Sequence, residues 1–242
     1  MTQLTRRLLL GATGGLALGV PTLFGPVARA ANPPKRGGTL RVSVDQAVSK
    51  LNPLLTRVNP EYLVAELLYS ALTRLKLDMS AEPDLAESWT SSPDLTEWTF
   101  VLRKGVTFHD GSPCTASDVV ATFTAILDPK TASPARQYIG PIAKVSAKDD
   151  TTVVFGLSAP YADMPVMLAN TCAKIVPAAI VSAGLARLDR EAVGTGPFKL
   201  VSFEPERLIV VTRSGSEEAF SLGQALSTGR GVPVLIVEPM AK

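Results

Sequence analysis

The chain has 242 residues, of which 46% are hydrophobic and 19% are charged. This composition provides enough apolar material for a folded core and excludes a disordered or low-complexity protein. Of the 24 basic residues, three lie among the first 30 residues, where there is no acidic residue, and the other 21 are balanced by 22 acidic residues. Such a nearly neutral body does not predict a nucleic-acid-binding surface.

The chain has few histidine and cysteine side chains that could bind a metal or take part in redox chemistry. The chain has one histidine, His109, and two cysteines, Cys114 and Cys172, which are 58 positions apart. These residues cannot form the usual cysteine and histidine clusters of a zinc site, so we expect neither a metal nor another cofactor. The two cysteines can pair in an oxidising compartment, or each can be a small core residue, and the sequence leaves both alternatives open.

The first 30 residues have the three parts of an export signal. A basic pair at residues 6–7 precedes an uncharged stretch at residues 8–28, and a small-x-small site predicts cleavage after Ala30. Residues 5–9 resemble the twin-arginine export motif. A membrane anchor is the alternative, although five glycines and two prolines in the stretch weaken it as a spanning helix. We therefore expect an exported protein of the periplasm or the extracellular space.

The rest of the chain alternates predicted strands with predicted helices. Alternating apolar residues predict strands, and apolar residues at helical spacing predict helices. The predicted strands lie at residues 39–44, 73–77, 98–102, 143–147, 152–157, 198–203 and 208–212, and the predicted helices at residues 61–72, 116–127, 161–168 and 177–185. This mixed order without an internal repeat indicates an α/β or α+β fold.

The helix at residues 116–127 has the clearest boundaries. Thr115 can cap its N-terminus while Asp118 returns the bond from three residues further on, and Pro129 ends it. One face is apolar and consists of Val119, Val120, Phe123, Ile126 and Leu127. We expect this face to be buried.

His109 is the only obvious base for a hydrolytic site, and it lies in the sequence Phe-His-Asp-Gly at residues 108–111. It is either a base that Asp110 orients or a turn residue whose ring bonds to local backbone. Adjacent side chains rarely point the same way, and the chain has no Gly-x-Ser-x-Gly motif. We therefore favour the turn and predict that the protein is not an enzyme. Asp84 and Glu87 are interpreted as solvated acids rather than as a catalytic pair.

Six short blocks follow one another in an order that resembles a known family. They lie at residues 37–42, 68–72, 83–89, 98–102, 103–111 and 194–198. In this order, behind an export signal, they resemble the extracellular solute-binding proteins of the dipeptide, oligopeptide and nickel ABC importers, known as solute-binding family 5.

The resemblance implies the α/β fold of a class II periplasmic binding protein, with two lobes that close around a solute. It assigns residues 31–80 and 193–213 to the core of the first lobe and residues 81–192 to a subdomain inserted in that lobe. Residues 214–242 form an atypical tail without a family match, in which residues 232–237 can still form a strand. The chain is therefore expected to contain the first lobe only, as a truncated member of the family.

By position, the resemblance also places two segments at the solute cleft. Solutes bind outside the carboxyl ends of strands, and glycines permit close approach of the backbone. The expected ligand-binding residues are those of the loop after the first strand and those of the crossover back into the first lobe, namely Ala47, Val48, Asn52, Gly194, Thr195 and Gly196. Ordinary turn chemistry is the alternative for all of them.

The function implied by the resemblance is that of an exported, incomplete substrate-binding component of an ABC importer for peptides or related small solutes. Its expected partners are a small solute, a peptide first of all, and a membrane permease, with no nucleic acid, and the expected state is a monomer. A truncated product that binds solutes weakly or not at all is the first alternative, because the family's second lobe carries much of the ligand recognition. An exported hydrolase is the second alternative.

Overall fold

A computed structural model describes residues 39–205, 208–213 and 234–239. The expected export signal, residues 31–38 and most of the expected tail lie outside these residues. The strands are β1 (Thr39–Val44), β2 (Thr73–Leu75), β3 (Ala81–Pro83), β4 (Ala86–Ser91), β5 (Glu97–Leu102), β6 (Ile142–Asp149), β7 (Thr152–Leu157), β8 (Phe198–Glu204), β9 (Leu208–Arg213) and β10 (Val234–Pro239). The helices are α1 (Asn59–Leu68), α2 (Ala116–Leu127), α3 (Met164–Met167) and α4 (Ala178–Ala183), with short 3-10 helices at Pro129–Thr131, Pro134–Gln137 and Leu185–Asp189. Each predicted strand and helix therefore has a counterpart.

One four-stranded sheet combines the two ends of the described chain in the order β1, β10, β9, β8. Strand β10 runs parallel to β1, with Thr39 opposite Val234, and antiparallel to β9, with Val237 opposite Ile209. Strand β8 pairs with β9 in an antiparallel hairpin. The strand that the sequence allows at residues 232–237 is thus present at Val234–Pro239, and it lies inside this sheet between β1 and β9.

The second four-stranded sheet is antiparallel and lies in the segment between β2 and β8, with the order β4, β5, β7, β6. Helix α2 packs against β6 and β7. The centre of this layer is aromatic: Phe155 meets Phe100 and Phe123 edge to face, at centroid distances of 5.5 Å and 5.0 Å. Such pairs each contribute about 0.5 to 1.5 kcal/mol beyond the burial of their area.

Helix α2 has the bounds that the sequence predicts. The Asp118 carboxylate accepts hydrogen bonds from the backbone N–H of Thr115 at 2.8 Å and from the Thr115 hydroxyl at 3.0 Å. Its other oxygen accepts from the backbone N–H of Ala178 at 2.8 Å. Asp118 therefore fixes the start of α2 and also ties it to the start of α4.

Helix α1 begins two residues earlier than predicted and ends four residues earlier. Pro60 occupies its first turn, where the missing N–H has no cost, and Tyr69 leaves the helix with extended angles, φ −130° and ψ 154°. The apolar spacing continues to residue 72 because Leu68, Tyr69, Ala71 and Leu72 are all buried, but the backbone is extended there. The end of α1 supplies one wall of the site described below.

Both cysteines are free thiols. Cys172 is buried with its Sγ 3.4 Å from the Thr56 hydroxyl oxygen, and Cys114 is half-buried, with its pKa raised to about 12 by burial. Of the two alternatives that the sequence leaves open, the structure shows two separate core thiols rather than a disulfide.

Candidate functional site

The segment 194–196, with the sequence Gly-Thr-Gly, returns the chain to β8 and lies directly on the C-terminal end of α1. The backbone N–H of Gly196 donates to the Leu68 carbonyl at 3.1 Å. A Cβ built on Gly196 would lie within 2.6 Å of backbone atoms of Leu67, Leu68 and Tyr69, and a Cβ on Gly194 would collide with the Leu68 carbonyl oxygen. Both glycines are therefore required by close packing on α1.

The Phe-His-Asp-Gly turn holds the same segment from another side. The backbone N–H of His109 donates to the Gly194 carbonyl at 2.8 Å, and its ring Nε2 lies 2.9 Å from the Gly196 carbonyl oxygen. The ring therefore bonds to backbone, as the turn interpretation requires, but to backbone 87 positions away rather than to its own turn. Asp110 does not orient it, since that carboxylate accepts from the N–H and the hydroxyl of Ser112.

Charge and burial around His109 both favour the neutral ring. Burial is the main cause that lowers the pKa of His109, and the ammonium of Lys199 lowers it further. The Gly196 carbonyl and the Asp110 carboxylate oppose this shift. Lys199 also donates to the His109 backbone carbonyl at 2.7 Å, which links the turn to β8.

Two buried polar atoms beside the segment have no hydrogen-bond partner among the described residues. They are the Thr195 hydroxyl and Nδ1 of His109. Buried polar atoms are almost always paired with protein, water or ligand, so these two atoms distinguish the segment from ordinary packing. Tyr69 is fully buried, and desolvation raises the pKa of its hydroxyl, while a hydrogen bond with the backbone of Val193 acts in the opposite direction.

The other predicted segment, the loop after β1, is fastened by its own side chains. Asn52 is completely buried: its Oδ1 accepts from the N–H of Leu54 and its Nδ2 donates to the carbonyl of Leu185, both at 3.1 Å. Val48 is buried and Ala47 is half-buried. Asn52 therefore uses both ends of its amide within the protein.

The loop after β1 is bonded to the short helix that precedes the Gly-Thr-Gly segment in the chain. The N–H of Leu51 donates to the carbonyl of Asp189 at 3.2 Å, and Asn52 bonds to Leu185 at the start of the same 3-10 helix. The Oδ1 atom of Asp189 is a further buried polar atom without a partner in the described part of the chain. The loop after β1 is thus held by residues 185–189, and the hydrogen bonds of the structure do not join it directly to residues 194–196 in the described part of the chain.

A buried ionic cluster near the end of α1 escaped the sequence analysis. Lys174 Nζ lies 2.8 Å from Glu66 Oε2, and Asp84 accepts from the N–H of Ala71 at 3.1 Å. Burial raises the pKa of Asp84 to about 6, although the positive charge of Lys174 opposes the shift. The interpretation of Asp84 as a solvated acid was wrong because its carboxylate satisfies backbone between α1 and β2. Its position between Pro83 and the apolar Leu85 was the available signal.

Within the described ranges there is no group of three or more histidine, cysteine or acidic side chains that can hold a metal ion. In the same ranges no helix combines the length and the apolar character that crossing a membrane requires.

Comparison with known proteins gives consistent matches. The family model of the bacterial extracellular solute-binding proteins, family 5, matches residues 80–215, which is more than half of the chain. The probable D,D-dipeptide-binding periplasmic protein DdpA of Escherichia coli K12 is 34% identical over 206 residues, which cover 81% of this chain and 39% of that protein. The periplasmic oligopeptide-binding protein OppA of the same strain is 32% identical over 203 residues, covering 75% of this chain and 36% of that protein.

A solved structure shows the same fold. The periplasmic binding protein AgaA from A. tumefaciens R10, in complex with agropinic acid, matches with a TM-score of 0.74 and 30% identity, over 84% of this chain and 40% of that chain. The predicted class of fold is confirmed by this match. The chain spans about two fifths of the length of the relatives that it matches.

Proposed function

This chain belongs to family 5 of the bacterial extracellular solute-binding proteins, and we propose from this that it acts as the solute-binding component of an ABC importer. The observation that carries the proposal is the match of both sequence and fold to periplasmic binding proteins over more than four fifths of the chain. The hydrogen bonds of His109 to backbone, in place of a nucleophile, favour binding over hydrolysis.

Peptides and related small solutes are the proposed ligands. The relatives are named for D,D-dipeptides and oligopeptides, and the solved structure contains agropinic acid. These names share small polar solutes as the common class. A permease in the membrane is the proposed partner, and the nearly neutral body of the chain supports a role without nucleic acid.

The proposed place of action is the periplasm. Both curated relatives are named as periplasmic proteins, and the first 30 residues support export by their basic pair, uncharged stretch and small-x-small site. We further propose that the twin-arginine route delivers the chain and that cleavage occurs after Ala30.

The proposed solute contacts remain those expected from the sequence, which are Ala47, Val48, Asn52, Gly194, Thr195 and Gly196. The unpaired Thr195 hydroxyl and the unpaired Nδ1 of His109 beside the Gly-Thr-Gly segment support this proposal. The polar atoms suit a solute that offers both donors and acceptors, as a peptide does.

Titration calorimetry of the exported chain tests the proposal. Pools of dipeptides, tripeptides and pentapeptides are titrated into the folded chain, with maltose as the unrelated solute, after circular dichroism has confirmed folding. We expect saturable heat from a peptide pool and none from maltose. A folded chain that gives no saturable heat with any pool up to millimolar peptide would overturn binding by this chain.

A further inference from the structure

We propose that His109 is the positioning residue of the Gly-Thr-Gly segment and that it acts only as the neutral imidazole with its proton on Nε2. The inference rests on the proposed function in one respect, namely that this segment faces the solute. It goes beyond that function by assigning a role to the single histidine of the chain and a dependence on pH to the segment.

The bonds of His109 determine where its ring proton is. A carbonyl oxygen can only accept, so the contact of 2.9 Å between ring and Gly196 requires an N–H at Nε2. In the neutral ring Nδ1 is then an acceptor. Since Nδ1 is buried without a partner among the described residues, no neighbour favours the opposite tautomer.

Hydrogen bonds hold the backbone of the Gly-Thr-Gly segment from two sides. On one side, the backbone N–H of His109 donates to the Gly194 carbonyl and the ring of His109 bonds to the Gly196 carbonyl. On the other side, the N–H of Gly196 donates to the Leu68 carbonyl at the end of α1, so that this contact joins two backbone groups. The ring of His109 is thus the one side chain whose hydrogen bond to the segment is seen in the described part of the chain.

Protonation of the buried ring is unfavourable for reasons other than the bond to Gly196, which the protonated ring could still donate. It would place a second N–H at Nδ1, where the described residues offer no acceptor, close to the ammonium of Lys199, which binds the backbone carbonyl of His109. The charged groups that act on the ring are Lys199 on β8 and Asp110 in the turn, whose carboxylate is bonded to Ser112.

The sign of the pH effect follows from burial. Burial lowers the pKa of His109 in the folded chain, so a ring released into water takes up a proton at a higher pH than the bound ring does. Acidification through the ordinary range near 6.5 therefore favours release of the segment, and neutral pH favours the bonded segment.

Because the chain has one histidine, nuclear magnetic resonance can observe this ring without ambiguity. The long-range proton–nitrogen spectrum of the full chain is recorded between pH 8 and pH 5. We expect the pattern of an Nε2–H tautomer at neutral pH and a titration midpoint below that of an exposed histidine. An Nδ1–H pattern, or an ordinary midpoint, would overturn the proposal.

Two variants separate positioning from general stability. His109→Gln keeps a donor at similar reach and cannot titrate, whereas His109→Leu keeps volume and loses the donor. Amide hydrogen exchange at Gly196 is expected to be roughly tenfold faster or more in the leucine variant, as for loss of one hydrogen bond, and close to the parent rate in the glutamine variant. The protection factor at Gly196, which is the intrinsic exchange rate at each pH divided by the observed rate, should fall on acidification in the parent and should stay constant in the glutamine variant.

Unchanged Gly196 exchange in the leucine variant would overturn the proposal, as would equal pH dependence in all three proteins. If the leucine variant fails to fold, the glutamine variant still tests the proposal, because its Gly196 protection should no longer depend on pH. Failure of the proposed function is a different result: peptide pools give no heat while the tautomer and the exchange behave as expected.

Discussion

Lys174 Nζ lies 2.8 Å from Glu66 Oε2, and only 2% of the lysine side chain is exposed, against 24% of the glutamate. The lysine also lowers the pKa of the buried Asp84 carboxyl by its charge, against the effect of burial. One ammonium therefore compensates two acidic groups, which come from α1 and from the turn that precedes β4. Residues 66, 84 and 174 are joined in this way across more than 100 positions of sequence.

Replacing Lys174 with methionine should destabilise the protein by about 3 kcal/mol, because removing one partner of a buried pair leaves uncompensated charge. Urea unfolding of the parent and of Lys174→Met measures the change. Arg187→Met is the matched control: it breaks an Arg187–Glu191 pair whose side chains are more than half exposed, and it should cost less than about 1 kcal/mol. Equal losses in the two variants would refute a special role for the buried cluster.

The raised pKa of Asp84 predicts a specific pH dependence of stability. The carboxyl titrates at about 6 in the folded chain, against 3.8 ordinarily, so the folded state holds the proton more tightly. Its contribution is complete below pH 3.8 and is lost as the pH rises through about 6, by an amount of about 2 to 3 kcal/mol. Urea unfolding at a series of pH values should show this slope in the parent and a flatter one in Asp84→Asn.

His109 acts in the opposite direction over an overlapping range, because its pKa is lowered and its contribution is lost as the pH falls below about 6.5. The Asp84 series is therefore best measured in the His109→Gln background, where the histidine no longer contributes to the slope. An Asp84→Asn protein that keeps the full slope between pH 4 and pH 6 would rule out this assignment.

The aromatic cluster between α2 and the second sheet predicts a large loss of stability when an aromatic side chain of α2 is removed. Phe123 is completely buried and meets Phe155 edge to face, so Phe123→Ala should cost about 3 to 5 kcal/mol. Thr124→Ala is the control, since Thr124 lies on the exposed face of the same helix and should change stability by about 0.5 kcal/mol or less. Thermal melting reports both, and similar melting temperatures would disprove the assigned face.

The sequence predicted best what depends on neighbours in the chain. Both ends of helix α2 are predicted correctly because its cap, its apolar spacing and its stop signal all lie within 15 positions. Asp118, which completes the cap with Thr115, belongs to the same short stretch. The sequence places the end of α1 four residues too late because a buried extended segment and a buried helix have the same apolar character. Tyr69 and Leu72 are both buried after the helix has ended.

The contacts of the candidate site could not be predicted from the sequence. The Gly-Thr-Gly segment was placed at the crossover by resemblance, whereas its packing on Leu68 and its bond to His109 join parts of the chain that no spacing relates. The same holds for β10, whose pairing with β1 spans almost the whole described chain. The pattern of one segment can predict a strand, but it does not indicate which distant strand it pairs with.

The export signal predicts a defined mature terminus. Amino-terminal sequencing of the chain recovered from the periplasm should begin at Ala31, since the small-x-small site ends at Ala30. Replacing both Arg6 and Arg7 with lysine should block export if a receptor reads the arginine pair. Normal export of that double variant would indicate the general pathway instead, and an intact Met1 in the membrane fraction would contradict cleavage.

Gly196→Ala tests whether close packing of the crossover on α1 is required for the site. A Cβ there would lie within 2.6 Å of three backbone atoms of residues 67–69, and backbone cannot move aside as a flexible side chain can. The segment must therefore shift, at an expected cost of about 1 to 3 kcal/mol. The shift should also lengthen the bonds to Leu68 and His109, so amide exchange at residue 196 should accelerate. Gly156→Ala is the control because its nearest neighbour would be Lys144 Cβ at 3.9 Å, and it should leave both stability and exchange near parent values. If Gly196→Ala unfolds at the same urea concentration as the control, the segment tolerates displacement, and close packing on α1 does not explain its two glycines.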